Sequence, residues 1–375
     1  MFPFKRYNFK DYKISLVFTV VLLSGIGAFL ISLAELPGET LFMKQVAGII
    51  MGLIIIAVVS LVDYHFVAQF YILLYILNLG LLFAVRRYGE YWYGATRTIK
   101  LPGVGIQFQP SELMKIIMII VMAKVLNMLK TKMDKFYSLV IVVAIMAVPL
   151  LFVLMQPDLS TSMVIIFTFV MMVFAAGLSY KIIVPLILIG IPTVIGLFWY
   201  IQQPFQIFLT GKQQERVMAM LYPELYGDTV YQQNISIQVI GSGRLTGKLV
   251  TEGKTGIIGD TFVPIAESDF IFSIAGEALG FIGGCVILLL FSIIVLKCLK
   301  IAHEASDYMG MLIATGVACM FMFQAFVNIG VTIKILPNTG LPLPFVSYGL
   351  SSLISSMIAI GLVLNVSLQQ KRKRG

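Results

Sequence analysis

Four carboxylates stand where an ionisable side chain is hard to place: Glu112, Asp158, Asp269 and Glu277. Each falls at the start of a long apolar run, or one to two turns into it. A charge at membrane depth costs several kcal/mol unless it is paired or wetted, so it marks a functional site by default. Capping is the plainer use. Asp158 and Asp269 precede apolar runs, where a carboxylate offsets free N–H groups and the helix dipole. Four such residues on one face exceed what capping alone requires.

Three motifs surround them. Gln109-Pro110-Ser111-Glu112-Leu113-Met114-Lys115 opens a helix, and Glu112 and Lys115 share one of its faces. They can neutralise each other or line a polar cavity. Gln156-Pro157-Asp158-Leu159-Ser160-Thr161-Ser162 is a second helix start. In Pro337–Gly349, the prolines at 337, 342 and 344 forbid a regular helix. Irregular backbone near membrane depth survives only where protein or a wet cavity covers it. Cations stand beside these motifs: Arg216, Arg244, Lys248 and Lys254, with Arg97 and Lys100 further upstream. Such a set suits an anionic headgroup, a pyrophosphate above all.

The elements that must hold these residues are membrane helices. Hydrophobic residues make up 59% of the chain and charged residues 12%, far from the soluble average. Apolar stretches long enough to span fall at roughly 14–35, 45–62, 65–85, 112–129, 137–154, 160–178, 182–201, 270–296, 309–330 and 349–367. The expected fold is all-α, a polytopic membrane protein of about ten helices. It forms a single membrane domain over 1–375, with 202–268 as one large outer loop between helices seven and eight. The first apolar run follows a basic start but is too long for a signal peptide and shows no convincing cleavage site. Within the loop, Tyr222–Ser236 can lie along the interface as a helix, ended by Gly241-Ser242-Gly243.

An even count puts both termini on one side. Lys5, Arg6, Lys10 and Lys13 precede the first helix, and Lys371, Arg372, Lys373 and Arg374 follow the last. Lys130, Lys132, Lys135, Lys297 and Lys300 fall on the same side, which the positive-inside rule makes cytoplasmic. The long connections, 86–111, 202–268 and 331–348, gather on the opposite face, where loops carry function. The net charge of +9 is therefore topogenic, and nucleic acid is excluded as a partner. Cys285, Cys298 and Cys319 lie in or beside apolar runs and read as small hydrophobes, not a disulfide framework. His65 and His303 have no zinc-site spacing.

Taken in order, the motifs resemble the SEDS family (shape, elongation, division and sporulation proteins), whose members include RodA, FtsW and SpoVE. The resemblance rests on Gly94–Arg97, Phe108–Glu112 with Lys115, Gln156–Ser162, Arg216-Val217, Tyr231-Gln232, Ile240–Gly243, Ser268–Phe272, Gly276–Gly280, Asn328–Gly330 and Pro337–Gly349. It implies a peptidoglycan glycosyltransferase that polymerises lipid II at the outer face of the bacterial cytoplasmic membrane. It implies Asp269 as the catalytic carboxylate. Lys115, Arg216, Glu112, Asp158, Lys248, Arg97, Glu277, Gln232 and Ser347 are the substrate-binding candidates. It also implies a class B penicillin-binding protein, a transpeptidase, as partner. The chain departs from the family pattern at Glu267-Ser268, Thr98, Ile235, Leu350 and Arg244. Glu267, two residues from Asp269, adds negative charge that raises the affinity of Asp269 for a proton.

Lipid II sets the chemistry expected. An acceptor hydroxyl attacks the donor's anomeric carbon and needs a base, here Asp269. The polyprenyl pyrophosphate leaves with charge that cations or a metal must stabilise. Arg216 and Lys115 are placed first for that task, Lys248 and Arg97 second. The sequence fixes no cofactor; the carboxylates could take a divalent cation, Mg or Mn. Two other classes share the general features: a flippase for lipid-linked precursors and a non-catalytic scaffold. A flippase needs polar groups at both faces, and a scaffold has no use for Asp269 at the membrane surface.

Overall fold

The computed structural model describes residues 7–35, 38–92, 95–100, 107–156, 158–207, 211–253 and 266–369. The expectation of an all-α polytopic membrane protein holds. Spanning helices are α1 (Ile14–Ala34), α2 (Leu41–Leu61), α3 (Tyr64–Gln69) continued by α4 (Tyr71–Tyr88), and α5 (Pro110–Met128). They continue with α6 (Phe136–Leu154), α7 (Leu159–Ala175) and α8 (Tyr180–Ile201). The large loop holds α9 (Gly211–Leu221), α10 (Gly227–Ser242) and α11 (Lys248–Thr251), before α12 (Ile271–Glu304), α13 (Tyr308–Thr332) and α14 (Leu350–Leu368).

Eight of these helices are long and apolar enough to cross a bilayer, among the described residues. The other two expected spans fall just short for identifiable reasons. Helix α7 has 17 residues. Helix α5 has 19 but carries Glu112, Lys115 and Lys124. A 21-residue helix such as α1 reaches about 30 Å, the thickness of the hydrocarbon core.

Helices α13 and α14 form the centre: 72% and 78% of their most apolar windows are buried. Helix α13 packs against α5, α7, α12 and α14, and α2 lies along α14. Helix α8 is the opposite case, with nothing in its window buried. The side chains it shows are mostly apolar, such as Leu188, Ile191 and Val194, as lipid requires.

At one end of the bundle the two chain termini meet. The Asn8 N–H donates to the Leu368 carbonyl at 2.9 Å. Asn365, buried in α14, donates to Ser60 O at 2.7 Å and Tyr7 Oη at 3.1 Å, and accepts from Tyr64 N at 3.0 Å. Asp63 and Asp307 cap α3 and α13 there. The basic clusters at residues 5–6 and 371–374 lie outside the described residues.

The opposite end carries the long connections. Two features there differ from expectation. The connection over residues 86–111, expected as a loop, contains a three-stranded antiparallel sheet in the order β1 (Glu90–Trp92), β2 (Ala95–Lys100), β3 (Gln107–Phe108). The helix expected at Tyr222–Ser236 begins at Gly227 and continues through Gly241 to Ser242. A mid-helix glycine adds only about 1 kcal/mol, so packing overrides it and the helix ends at Gly243. The preceding α9 is a short amphipathic helix that strongly polar composition concealed.

Candidate functional site

Asp269 sits in the turn that leads into α12, half-buried. Ser268 Oγ donates to its Oδ1 at 2.6 Å. Its backbone carbonyl accepts from Asn328 Nδ2 at 2.9 Å. The same Nδ2 donates to the Leu341 carbonyl at 2.7 Å. The loop from Pro337 to Gly349 is non-helical, as its prolines require, and folds against this turn. Gly340 has φ +66°, and a Cβ there would lie 3.1 Å from Asp269 Oδ2. Tyr348 N donates to the Glu267 carbonyl at 2.8 Å. Burial first, then the charges of Glu39 and Asp269, hold the Glu267 carboxyl above the usual carboxylate range. Burial first, then the charges of Glu267, Glu39 and Glu35, raise the Tyr348 phenol.

Asp158 reaches this junction from α7. It caps the helix, accepting from Thr161 N at 3.1 Å and Thr161 Oγ1 at 2.9 Å. Ser160 Oγ lies 3.3 Å from Asp158 Oδ1 and donates to the Thr339 carbonyl at 2.6 Å. The buried start of α7 is thus tied to the residue before Gly340. Gln232, on α10, accepts from Asn338 Nδ2 at 2.9 Å in the same loop. Beside it Gln233 donates to the Val331 and Leu336 carbonyls, and Ser236 to that of Thr332. These bonds satisfy free carbonyls at the C-terminus of α13 and dock α10 onto it.

Glu277 and Lys248 form a second cluster. Lys248 Nζ lies 2.5 Å from Glu277 Oε1. Their meeting depends on a break in α12 at Gly280, where φ is +67° and ψ −165°. A break strands the N–H groups that follow it. Here Phe281 N donates to Arg244 O at 2.9 Å and Ile282 N to Leu245 O at 3.1 Å. The approach is close because both sides use glycine. A Cβ at Gly243 would lie 1.9 Å from Gly276 O, and one at Gly247 2.1 Å from Ala278 O. The loop therefore caps the second half of α12 and delivers Lys248 to Glu277 in the first half.

Glu112 and Lys115 form a third. Lys115 Nζ donates to Glu112 Oε1 at 2.8 Å, with both side chains 3% exposed. They bond to each other, not to Asp269. Lys115 also lines a small interior cavity with Thr168, Met146 and Met320. Arg216 is half-buried on α9, which packs against α10. Ser347 is buried, and its Oγ accepts from Leu343 N at 2.8 Å, closing a turn in the proline-rich loop. Arg97 has its backbone in β2, and its side chain, like all of Lys254, lies outside the described residues.

Asp269, Asp158 and Gln232 thus all meet the proline-rich loop, through Asn328, Ser160 and Asn338 in turn, while Lys248 on α11 meets Glu277 on the first half of α12. Among the described residues no group of three His, Cys, Asp or Glu side chains is placed to hold a metal ion. Sequence reasoning missed Asn328 as a site residue, though its signal was visible: an amide inside an apolar helix. It also missed the cap on α12, whose only sign is glycines at 243, 247, 276 and 280.

A model of the FtsW, RodA and SpoVE cell cycle proteins matches residues 12–372. A probable peptidoglycan glycosyltransferase FtsW of Geobacter sulfurreducens is 34% identical over 333 residues, 88% of this chain and 85% of that one. The peptidoglycan glycosyltransferase MrdB of Escherichia coli is 32% identical over 333 residues, covering 88% and 86%. In a solved peptidoglycan synthase complex that coordinates polymerization and crosslinking, one chain superposes with a TM-score of 0.79. It is 26% identical, over 95% of this chain and 97% of that one.

Proposed function

This chain belongs to the FtsW, RodA and SpoVE family of cell cycle proteins, and from that premise we propose that it is a peptidoglycan glycosyltransferase. It joins lipid II units into β-linked glycan at the outer face of the bacterial cytoplasmic membrane. The observation that carries this reading is the placement of Asp269. Its half-buried carboxylate lies where the α12 turn, α13 and the proline-rich loop converge, with the start of α7 tied to that loop. That end of the bundle is opposite the two termini. The positive-inside rule puts the termini in the cytoplasm and the site outside.

Asp269 accepts the proton of an acceptor sugar hydroxyl as the hydroxyl oxygen bonds to the donor's anomeric carbon. The bond from that carbon to the pyrophosphate breaks, and single displacement inverts the centre to the β configuration. Arg216 and Lys115 take up the charge of the departing pyrophosphate, with Lys248 and Arg97 beside them. Glu112 and Glu277 hold Lys115 and Lys248 in place. Asp158, Gln232 and Ser347 shape the cavity through the bonds described above. The whole chain acts as one membrane domain, with 202–268 as its outer loop. The synthase complex that this fold matches supports a class B penicillin-binding protein as cross-linking partner.

The test is direct. Purified protein given lipid II should produce a ladder of glycan strands on a gel. Protein that moves lipid II across liposomes without joining it would make the chain a flippase. Protein that does neither, yet recruits a polymerase, would make it a scaffold.

A further inference from the structure

We infer that Asn328 and Gly340 are positioning residues for Asp269, fixing the direction in which its carboxylate meets the acceptor hydroxyl. This rests on the reading of Asp269 as the base. Asn328 is 1% exposed inside an otherwise apolar stretch of α13. Burying an amide there is unfavourable unless its hydrogen bonds are used. Its Nδ2 spends both donors on two backbone carbonyls, those of Asp269 and Leu341. It thereby locks the α12 turn to the proline-rich loop with bonds of 2.9 and 2.7 Å. Its Oδ1, equally buried, has no hydrogen-bond partner among the described residues. The side chain is thus oriented wholly by what its nitrogen holds.

The loop so anchored brings Gly340 against the carboxylate itself. Gly340 is the residue that follows Thr339, whose carbonyl is held by Ser160, and precedes Leu341, whose carbonyl is held by Asn328. Pinned on both sides, it presents bare backbone at φ +66° to Asp269 Oδ2. A Cβ would sit at 3.1 Å, tight enough that the carboxylate must give by a few tenths of an ångström. Glycine meets both demands, the positive φ and the missing methyl. Around this contact stand Ser268 and Glu267 from the α12 turn, with Glu39 from before α2 and Tyr348 from the proline-rich loop beside Glu267, and Asp158 through Ser160 on the α7 side.

Gly177 supplies a control. It also has positive φ, +77°, but nothing lies within 4 Å of where its Cβ would be. Alanine at either position strains the backbone, yet only alanine at 340 touches Asp269. Initial rates on lipid II across pH should therefore be measured for Gly340→Ala, Gly177→Ala, Asn328→Leu and Asp269→Asn. Gly340→Ala should lower kcat at least ~10-fold with KM within about 2-fold, since small misplacement of a base acts on the chemical step. The acid limb of its pH–rate profile should move to higher pH, because a methyl against the carboxylate disfavours its charged form. Asn328→Leu should lower kcat in the same way if it folds. Gly177→Ala should keep the parent kcat and the parent acid limb. Equal losses in the two glycine variants, or a parent-like kcat and pH profile in Gly340→Ala, would overturn the inference. Asp269→Asn separates this from the underlying reading: parent rates in that variant would remove Asp269 as the base altogether.

Discussion

Replacing Gly247 with alanine should uncouple the large loop from α12. Three effects act together. Gly247 has φ +83° and ψ 158°, a region essentially reserved for glycine that costs another residue about 1–3 kcal/mol. The new Cβ would lie 2.1 Å from Ala278 O and 2.6 Å from Leu279 C. Both are backbone atoms, so no side chain can rotate away, and the loop must retreat by roughly 1 Å to restore ordinary contact. That retreat breaks the bonds from Phe281 N and Ile282 N to Arg244 O and Leu245 O. Each buried N–H left without an acceptor costs about 1–3 kcal/mol. The total is at least ~3 kcal/mol. Lys248, the next residue, also loses its place opposite Glu277. Thermal unfolding in detergent reads the stability, and lipid II polymerisation reads the function. Gly241→Ala is the control, since nothing lies within 4 Å of its Cβ position and alanine suits a helix. The reasoning fails if Gly247→Ala melts and polymerises like the parent, or if Gly241→Ala is equally damaged.

The buried Glu112–Lys115 pair should respond asymmetrically. Lys115→Met or Glu112→Gln alone should destabilise by about 3–5 kcal/mol by stranding a charge, while the double variant recovers most of that loss in a denaturation midpoint. Glu267→Gln removes a negative neighbour of Asp269, so the acid limb of the pH–rate profile should move to lower pH. The sign follows because a base works deprotonated, and losing a like charge favours deprotonation. Cysteines placed at Lys212 and Lys132 should differ in intact cells: an impermeant thiol reagent should label the first and spare the second.

The spans were legible in the sequence because bilayer thickness imposes a length that composition reveals directly. The ends of α6, Phe136–Leu154, fall within a residue of expectation for that reason. The proline-rich loop was legible too, since Pro337, Pro342 and Pro344 exclude helix whatever surrounds them. Extra-membrane structure was harder to read. The strands at 90–108 are short and paired locally, and α9 is amphipathic without being apolar. The site shows the same division. Asp158 and Asp269 stand out as charges at span ends, but which groups they meet depends on packing among α7, α12 and α13. The carbonyl caps on Phe281 and Ile282 were invisible because backbone atoms leave no trace in residue identity. Ser347 stood among the substrate-binding candidates through the family motif, and in the structure its hydroxyl accepts from the Leu343 N–H.

The central claim is that Asp269 removes a proton during glycan synthesis. Asparagine at that position keeps the size of the side chain and an oxygen that can accept from Ser268 Oγ, but it cannot serve as a carboxylate base. The deciding measurement is polymerisation of lipid II by purified, folded Asp269→Asn protein beside the parent, with lipid II binding measured on the same samples. The account predicts a loss of about two orders of magnitude or more in rate with binding near normal. A folded Asp269→Asn protein that polymerises lipid II at the parent rate would contradict it.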